Sequence, residues 1–285
     1  MTDLRTKMKQ EMILRGFSLG TQAQYIRAVI KLNKHYSRSP AKLSLEEVKQ
    51  FLLFVISNQS YAASTYNVML YGLKFFYAAV LNKDILAISL PRHKEPQKLP
   101  DILSQAEVTQ IIKATANLKY RTMLIITYGA GLRASEVVAL NIEDIDSKRM
   151  VIHVRQGKRS KDRYAILSPF MLSSLRIYWK QCRLSNAKNS INCTRLFVNK
   201  SETNLSVANL GAIYKYSKFL AGITKCGGIH ALRHAFATHS LELGTDLYTI
   251  KELLGHSSIK STVRYLRMTS KTLQATKSPV DQLNL

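Results

Sequence analysis

Gly228-Ile229-His230-Ala231-Leu232-Arg233-His234 is the stretch that decides the fold of the second half of this chain. Two shorter motifs follow it in the sequence, Leu254-Gly255-His256 and Arg264-Tyr265. Helices that carry these motifs and fold back on one another would bring four side chains to one point: His230, Arg233, His256 and Tyr265. Two imidazoles, a guanidinium and a phenol at one point suit a phosphate group better than a metal ion or an acyl group.

Glycines indicate where the helices of this region end. Glycine adopts the left-handed conformation without a Cβ penalty, and it therefore often follows the last residue of a helix. Gly244 and Gly255 both follow helical patterns. They predict one helix over about 230–243, a second over about 246–254 and a short third helix that carries Tyr265.

A zinc site is the main alternative for this region. His230 and His234 are four residues apart and would share one face of a helix, a spacing that suits zinc. No acidic or cysteine ligand follows at a matching interval, and Arg233 would place a cation against the metal. We therefore favour a phosphate site and expect no metal ion.

The chain is strongly basic. It holds 42 Lys and Arg against 18 Asp and Glu among 285 residues, a formal net charge of +24. Residues 1–100 contain 15 of the basic and 6 of the acidic side chains, so both halves carry an excess of positive charge. Charge of this size exceeds what solubility requires. It indicates a polyanionic partner that touches both halves, first of all duplex nucleic acid.

Cysteine usage and apolar patterning bear on the compartment. Cys182, Cys193 and Cys226 are odd in number and form no CxxC pair, which argues for a reducing compartment and against a disulfide framework. The first residues form no apolar signal core, and the apolar runs are short and interrupted. We expect a cytoplasmic protein without a membrane-spanning segment.

Residues 1–88 have the pattern of an all-helical domain. Apolar residues at three- and four-residue steps predict four helices, over about 7–15, 18–36, 44–55 and 64–80. Ser44 and Glu47 have the spacing of a capping box at the start of the third helix. A basic helical module of this kind is suited to clamping DNA.

Residues 89–101 predict a basic, proline-rich linker. Pro91, Pro96 and Pro100 remove backbone donors and restrict φ, and no hydrophobic period survives between them. Arg92 and Lys94 lie among these prolines, and we expect both to contact the phosphate backbone.

Residues 102–285 predict a second domain that begins with helices. Ser104 and Glu107 have the spacing of another capping box, and an apolar helix over about 120–129 follows. Two glycines end that helix, and Arg133 falls at the start of the next. Buried beside a phosphate, Arg133 would offer a fork of donors to two oxygens. Glu136 is placed to hold this region by hydrogen bonds.

A single β-hairpin is predicted in this domain. Residues 150–155 and 164–167 alternate in hydrophobicity, and the turn between them spans Gly157–Asp162. Lys158 in this turn is either a solvated turn residue or a mobile acid that reaches into a groove. Arg159 and Lys161 beside it are expected DNA contacts. Helical patterns resume over 169–180 and 207–221.

Five separated motifs carry a resemblance to a known family. Gly131-Leu132-Arg133-Ala134-Ser135-Glu136, Gly157-Lys158, His230-Ala231-Leu232-Arg233-His234, Leu254-Gly255-His256 and Tyr265 have the order and spacing of the tyrosine recombinases. The resemblance covers the entire chain, and a simultaneous match is far more specific than any one motif. It implies a mainly α protein: an all-helical, SAM-like core-binding domain, then an α/β catalytic domain of the DNA breaking-rejoining fold with a small antiparallel sheet.

The resemblance also implies a reaction. The family cuts and rejoins duplex DNA through a 3′-phosphotyrosyl link and a Holliday junction, without ATP, a metal ion or another cofactor. Tyr265 would be the nucleophile, His230 would help remove its proton, and Lys158 would protonate the departing 5′ oxygen. The remaining residues would stabilise charge on the phosphate or support the site: Arg133, Arg233 and His256, with Glu136 and His234.

The implied partners follow the family. They are a double-stranded recombination site, three further copies in a homo-tetramer on two sites, and optional accessory DNA-binding proteins; the free chain would be a monomer or dimer. The outcome would be integration or excision of a mobile element, or resolution of a replicon. We see no helix inserted between Thr194 and His230, which favours a transposon-borne or Xer-like enzyme over an integron integrase. The tail after Leu273 would pack against a neighbouring subunit.

Two points stay open at the level of sequence. The family usually has glycine where Arg159 follows Lys158, so Lys161 is an alternative proton donor. Two other functions are also open: relaxation of DNA without exchange of partners, as by a topoisomerase, and architectural DNA binding without catalysis. The core-binding domain and the complete set of catalytic side chains favour recombination.

Overall fold

A computed structural model of this chain describes residues 2–57, 61–83, 92–93, 101–155, 162–183, 194–199, 205–256, 258–259 and 262–263. The chain divides into two compact units, Met1–Lys98 and Leu99–Leu285. The boundaries expected from the sequence, with domains over 1–88 and 102–285 and a linker over 89–101, stay a prediction. No helix in the described part of the chain combines the length and the apolar character needed to cross a bilayer.

Helices form the first unit, as predicted. They are α1, Thr2–Leu14; α2, Leu19–Tyr36; α3, Leu45–Ser57; and α4, Ala63–Phe75, which a π-helical turn, Phe76–Val80, continues. A short 3₁₀ turn, Pro40–Lys42, precedes α3. Helix α1 begins at Thr2 rather than at Lys7, because the residues between contain no glycine or proline that would stop it.

Side-chain caps start two of these helices. The Ser18 hydroxyl accepts a hydrogen bond of 3.2 Å from the backbone N–H of Thr21. Ser44 and Glu47 form the predicted capping box, with reciprocal hydrogen bonds of 2.8 and 3.2 Å. Such caps satisfy the backbone donors that a helix leaves unpaired at its start.

The core of the first unit lies between its four helices, and α1 contributes Met8 and Met12 to it. Its buried side chains include Leu32, Val48, Phe51, Leu70, Leu73 and Phe76. Helices α2 and α4 approach closely at Gly72, where an added Cβ would lie 3.0 Å from the Cα of Tyr25. Glycine at this position therefore lets the two backbones pack together.

The second unit contains helices and one small sheet, as predicted. Its helices are α5, Gln105–Ala114; α6, Leu118–Gly129; α7, Ala134–Ala139; α8, Pro169–Tyr178; α9, Val207–Leu220; α10, His230–Glu242; and α11, Leu247–Leu254. Helix α8 continues into a π-helical turn, Trp179–Arg183. The limits of α10 and α11 confirm the predicted helices over 230–243 and 246–254.

The sheet is antiparallel with the strand order β1, β2, β3. The strands are β1, Ile145–Asp146; β2, Val151–Val154; and β3, Arg163–Ile166. Strands β2 and β3 are the predicted hairpin, with Ile152 opposite Ala165 and Val154 opposite Arg163. Strand β1 was not predicted, because two residues are too few to show the alternation that reveals a strand.

A large apolar cluster holds the second unit together. It includes Ile111, Leu124, Ile126, Leu132, Val137, Ile152, Phe197, Tyr214 and Leu232. A smaller cluster of Phe236, Ala237, Ile250 and Leu254 joins α10 to α11. This second cluster holds the carboxyl end of α11 beside α10, where the candidate site lies.

Candidate active site

Helix α10 carries three of the predicted site residues on its first turns. It begins at His230, and Arg233 and His234 follow within one turn. The imidazole rings of His230 and His234 lie 4.7 Å apart, edge to face. The helix therefore presents two imidazoles and a guanidinium close to its amino end.

Three arginines from three different elements donate to consecutive carbonyl groups at the end of α11. Arg163 Nε donates to Leu253 O at 2.9 Å, Arg233 Nη2 to Leu254 O at 2.5 Å, and Arg133 Nη2 to Gly255 O at 3.3 Å. The last carbonyl groups of a helix have no partner within it and carry the negative end of its dipole. The end of α11 therefore gathers three guanidinium groups.

Glu136 accepts hydrogen bonds from two of these arginines and forms an ion pair of 3.9 Å with the third, Arg233. Its carboxylate accepts hydrogen bonds of 2.9 and 2.8 Å from the two terminal nitrogens of Arg163, and one of 2.7 Å from Arg133 Nη1. It also accepts a bond of 2.8 Å from the backbone N–H of Arg133. Burial alone would raise the pKa of Glu136, but Arg163 and Arg133 together lower it to about 2. Glu136 is therefore an anion at neutral pH, as its predicted supporting role requires.

Arg233 connects two motifs through the backbone. Its Nη1 donates to Gly131 O at 2.7 Å, while its Nη2 donates to Leu254 O. The Arg233 side chain is 1% exposed and that of Arg133 is 22% exposed. In this conformation Arg133 is thus the more accessible of the two candidate phosphate-binding arginines, and a phosphate would reach Arg233 only after the groups that cover it move.

Gly131 allows this close packing. Its φ of +61° lies in the left-handed region, and an added Cβ would lie 2.4 Å from Phe236 Cδ1 and 2.9 Å from Leu254 Cδ2. A side chain at this position would strain the backbone and push α10 and α11 away. Gly255 also has a φ of +61° and ends α11, as predicted.

His230 and His256 are held in the neutral form at neutral pH. Burial and the nearby cations Arg233 and Arg133 lower the pKa of His230. The same causes, joined by His230 and His234, lower the pKa of His256 to about 4. His256 Nδ1 lies 3.0 Å from the hydroxyl oxygen of the buried Thr262. Neutral imidazoles can accept a proton or donate one hydrogen bond, depending on the tautomer.

The structure brings together six of the predicted site residues: the catalytic candidates Arg133, His230, Arg233 and His256, and the supporting candidates Glu136 and His234. Several other candidates lie outside the described residues: Lys158, Arg159, Lys161, Lys94 and Tyr265. Arg92 is described and exposed. The roles of all these residues stay predictions. The described part of the chain contains no cluster of three or more side chains able to bind a metal ion.

Arg163 is the residue that sequence reasoning missed. It follows the basic turn of the hairpin and is one of 42 Lys and Arg residues in the chain, most of which were given no individual role. The period of strand β3 carried no usable signal, because its larger apolar residues, Tyr164 and Ile166, are exposed, while Arg163 shares a face of the sheet with the small, buried Ala165. The inward direction of this guanidinium is therefore seen only in the structure.

Comparisons with known proteins agree with this architecture. Residues 101–272 match the phage integrase family, and residues 4–86 match the phage integrase N-terminal SAM-like domain. A putative integrase/recombinase of Sinorhizobium fredii is 38% identical, over 99% of this chain and 90% of that protein. The tyrosine recombinase XerD of Oceanobacillus iheyensis is 31% identical, over 92% of each chain.

Solved structures share the fold at lower identity. A post-cleavage complex of the XerH site-specific recombinase with its difH substrate has a TM-score of 0.71 and 21% identity, over 92% of this chain and 80% of that one. The Tn1549 transposon integrase in complex with transposon right end DNA has a TM-score of 0.70 and 19% identity, over 95% and 97%.

These matches, together with the arginine and histidine cluster, define the class of protein. The chain belongs to the phage integrase family, whose members are the tyrosine recombinases. It is an enzyme of site-specific DNA recombination.

Proposed function

We propose that this chain cuts each strand of a duplex recombination site with Tyr265 and rejoins it to a partner strand. The observation that carries the proposal is the assembly of Arg133, Arg233 and two neutral imidazoles at the end of α11. Two cations beside neutral hydrogen-bonding groups suit a phosphodiester that gains negative charge in its transition state.

In the first step the phenol oxygen of Tyr265 attacks phosphorus, and the bond from phosphorus to the 5′ oxygen breaks. A phenol has a pKa of roughly 10 in water, so a base is needed at neutral pH. His230 takes the phenol proton; its lowered pKa leaves it neutral and able to accept one. Lys158 gives a proton to the departing 5′ oxygen.

Charge on the two non-bridging oxygens is stabilised by Arg133, Arg233 and a hydrogen bond from His256. The carboxylate of Glu136 accepts hydrogen bonds from Arg133 and Arg163, and its role is to hold these two side chains in position. His234 lies against the His230 ring and supports its orientation.

In the second step the 5′ hydroxyl of a neighbouring strand attacks the phosphotyrosyl link and releases Tyr265. The partner strand is rejoined, and one exchange on each duplex produces a Holliday junction. The covalent link conserves the energy of the phosphodiester, so the chemistry requires no cofactor.

The assembly that would perform this exchange is a homo-tetramer on two DNA sites, formed from free monomers or dimers, with accessory DNA-binding proteins as optional partners. Structures of the XerH recombinase and of the lambda integrase were solved bound to their DNA sites, which supports a duplex site as the substrate here. We place the reaction in the cytoplasm. The biological outcome is integration or excision of a mobile element, or resolution of a replicon.

A nicked suicide substrate tests the proposal. Because of a nick near the cleavage position, the short fragment that carries the released 5′ hydroxyl diffuses away. The covalent complex therefore accumulates and is seen on a denaturing gel. The wild-type chain, given a pool of candidate sites, is expected to form this complex. Tyr265→Phe is expected to bind DNA without forming it, because the ring remains and the nucleophilic oxygen is lost.

Tyr248→Phe is the matched control, since Tyr248 is an exposed tyrosine of α11. It is expected to form the complex normally. A covalent band that persists in Tyr265→Phe would assign the nucleophile to another residue. Relaxation of supercoiled DNA by dilute monomer, without exchange of strands, would instead indicate a topoisomerase-like activity.

A further inference from the structure

Arg163 is one of the most thoroughly bonded side chains of the second unit. It opens strand β3 and is 10% exposed. Its three guanidinium nitrogens all donate hydrogen bonds: Nη1 and Nη2 to the two oxygens of Glu136 at 2.9 and 2.8 Å, and Nε to Leu253 O at 2.9 Å. These bonds use three of the five N–H donors of the guanidinium, and because the side chain is 10% exposed, little of it is accessible to a phosphate.

These bonds connect three elements that carry the site. Glu136 belongs to α7 and holds both the side chain and the backbone N–H of Arg133. Leu253 lies in the last turn of α11, directly before the turn that leads to His256. Lys158 precedes Arg163 by five residues in the sequence. One side chain thus joins the hairpin to the Arg133–Glu136 pair and to the turn before His256.

Arg163 also packs against Gly255, which directly precedes His256. An added Cβ at Gly255 would lie 2.9 Å from Arg163 Cδ and 3.1 Å from its Nε. The aliphatic part of the Arg163 side chain therefore packs against the turn at Gly255, while its guanidinium donates to the carbonyl oxygen of Leu253.

We propose that Arg163 is a positioning residue for strand cleavage, which holds Glu136 so that Arg133 faces the phosphate and holds the turn that carries His256. The proposal rests on the function proposed above. Without Arg163 the Glu136 carboxylate loses two charge-assisted hydrogen bonds and keeps only those from Arg133. The carboxylate is then free to draw the Arg133 guanidinium away from the phosphate.

Two variants, Arg163→Lys and Arg163→Met, distinguish a positioning role of Arg163 from an effect of its charge or of its volume. Arg163→Lys keeps the positive charge but cannot make the bidentate contact and the contact to Leu253 O together. Arg163→Met keeps much of the volume and removes the charge. In both variants DNA affinity and its salt dependence should match the wild-type chain, because Arg163 is not a phosphate contact. Single-turnover cleavage at saturating DNA should fall by about 10–100-fold, as when a catalytic group moves by ~1 Å.

A double-mutant cycle shows whether Arg163 acts through Glu136. If it does, Arg163→Met combined with Glu136→Gln should lower the cleavage rate no further than the more damaging of the two single changes. Arg155→Lys is the matched control. Arg155 follows β2 in the same hairpin and pairs with Glu143 and Asp144, away from α11. It should leave the cleavage rate unchanged.

Each outcome decides the proposal. An unchanged cleavage rate in Arg163→Lys overturns it, as do fully additive losses in the cycle. The amount of folded protein in both Arg163 variants is measured by thermal unfolding. If the loss of cleavage rate only matches the loss of folded protein, the role of Arg163 is structural and the proposal is overturned. A lower affinity with a shallower salt dependence would make Arg163 a phosphate contact instead. Failure of the proposed function itself is seen separately, as a covalent complex that survives Tyr265→Phe.

Discussion

Arg233 donates a 2.5 Å hydrogen bond to the carbonyl oxygen of Leu254, a residue 21 positions further along the chain. Its other terminal nitrogen donates to Gly131 O, 102 positions earlier. One buried guanidinium therefore binds the backbone just before Arg133 and just before His256. Arg233 thus holds together, before DNA arrives, the two backbone segments that carry Arg133 and His256. Preorganisation of this kind makes electrostatic catalysis effective.

Gly131→Ala is expected to destabilise the second unit by about 2–5 kcal/mol, from the left-handed conformation and from overpacking against Phe236 and Leu254. Gly211→Ala is the control. Gly211 lies within α9 at an ordinary φ, and an added Cβ would meet nothing within 4 Å. It should stabilise the helix by about 0.5–1 kcal/mol. Chemical denaturation measures both changes, and equal stability of the two variants would contradict this account of Gly131.

Stability is expected to fall as the pH drops from about 6.5 toward 4. The folded chain holds the pKa of His256 at about 4, below the ordinary value of 6.5, so the unfolded chain binds the proton first in this interval. The shift of His230 acts in the same direction. Below about 4.5, protonation of Glu136 in the unfolded chain removes further stability, since its folded pKa is about 2.

Thermal unfolding measured between pH 7.5 and 4 tests this dependence. His256→Asn removes one of the groups with a lowered pKa and can keep a hydrogen bond to Thr262. Its unfolding temperature should depend less steeply on pH than that of the wild-type chain. Parallel curves for the two proteins would show that His256 does not titrate as described.

Lys158→Ala is expected to slow cleavage of ordinary DNA by about 10²–10⁴-fold, the usual contribution of a general acid. A substrate with sulfur in place of the bridging 5′ oxygen should restore the rate, because a thiolate departs without a proton. Arg133→Ala should not be rescued, since its role concerns the non-bridging oxygens. If the sulfur substrate restores cleavage by Lys161→Ala instead, Lys161 is the general acid. If it restores cleavage by neither lysine variant, the hairpin does not supply the proton.

DNA affinity is expected to fall steeply with salt concentration, with a log–log slope of about −0.9 for each neutralised phosphate. Residues 1–100 and 101–285 both carry an excess of basic side chains, so both should contribute phosphate contacts. Either unit alone should bind more weakly and with a shallower slope, measured by fluorescence anisotropy across a salt series. Full affinity and full slope from residues 101–285 alone would exclude a role for the first unit.

The sequence by itself determined most of the helices and supplied the candidate residues of the site. Caps such as Ser44 with Glu47 and Ser104 with Glu107 act between residues three apart, so the helix starts can be read locally. The glycines after α10 and α11 end them for an equally local reason. The order and spacing of the five motifs carried the family and the candidate residues.

Only the tertiary structure decided how the site is held. The donors to the end of α11 come from residues 21, 90 and 122 positions away in the sequence, and no periodic pattern relates such distant positions. For the same reason only the packing of the fold decides that Arg233 is buried. It also decides that Arg163 donates to Glu136 instead of contacting DNA. A helix end attracts arginines wherever they come from, because its unpaired carbonyl groups need donors; which arginines reach it depends on the fold.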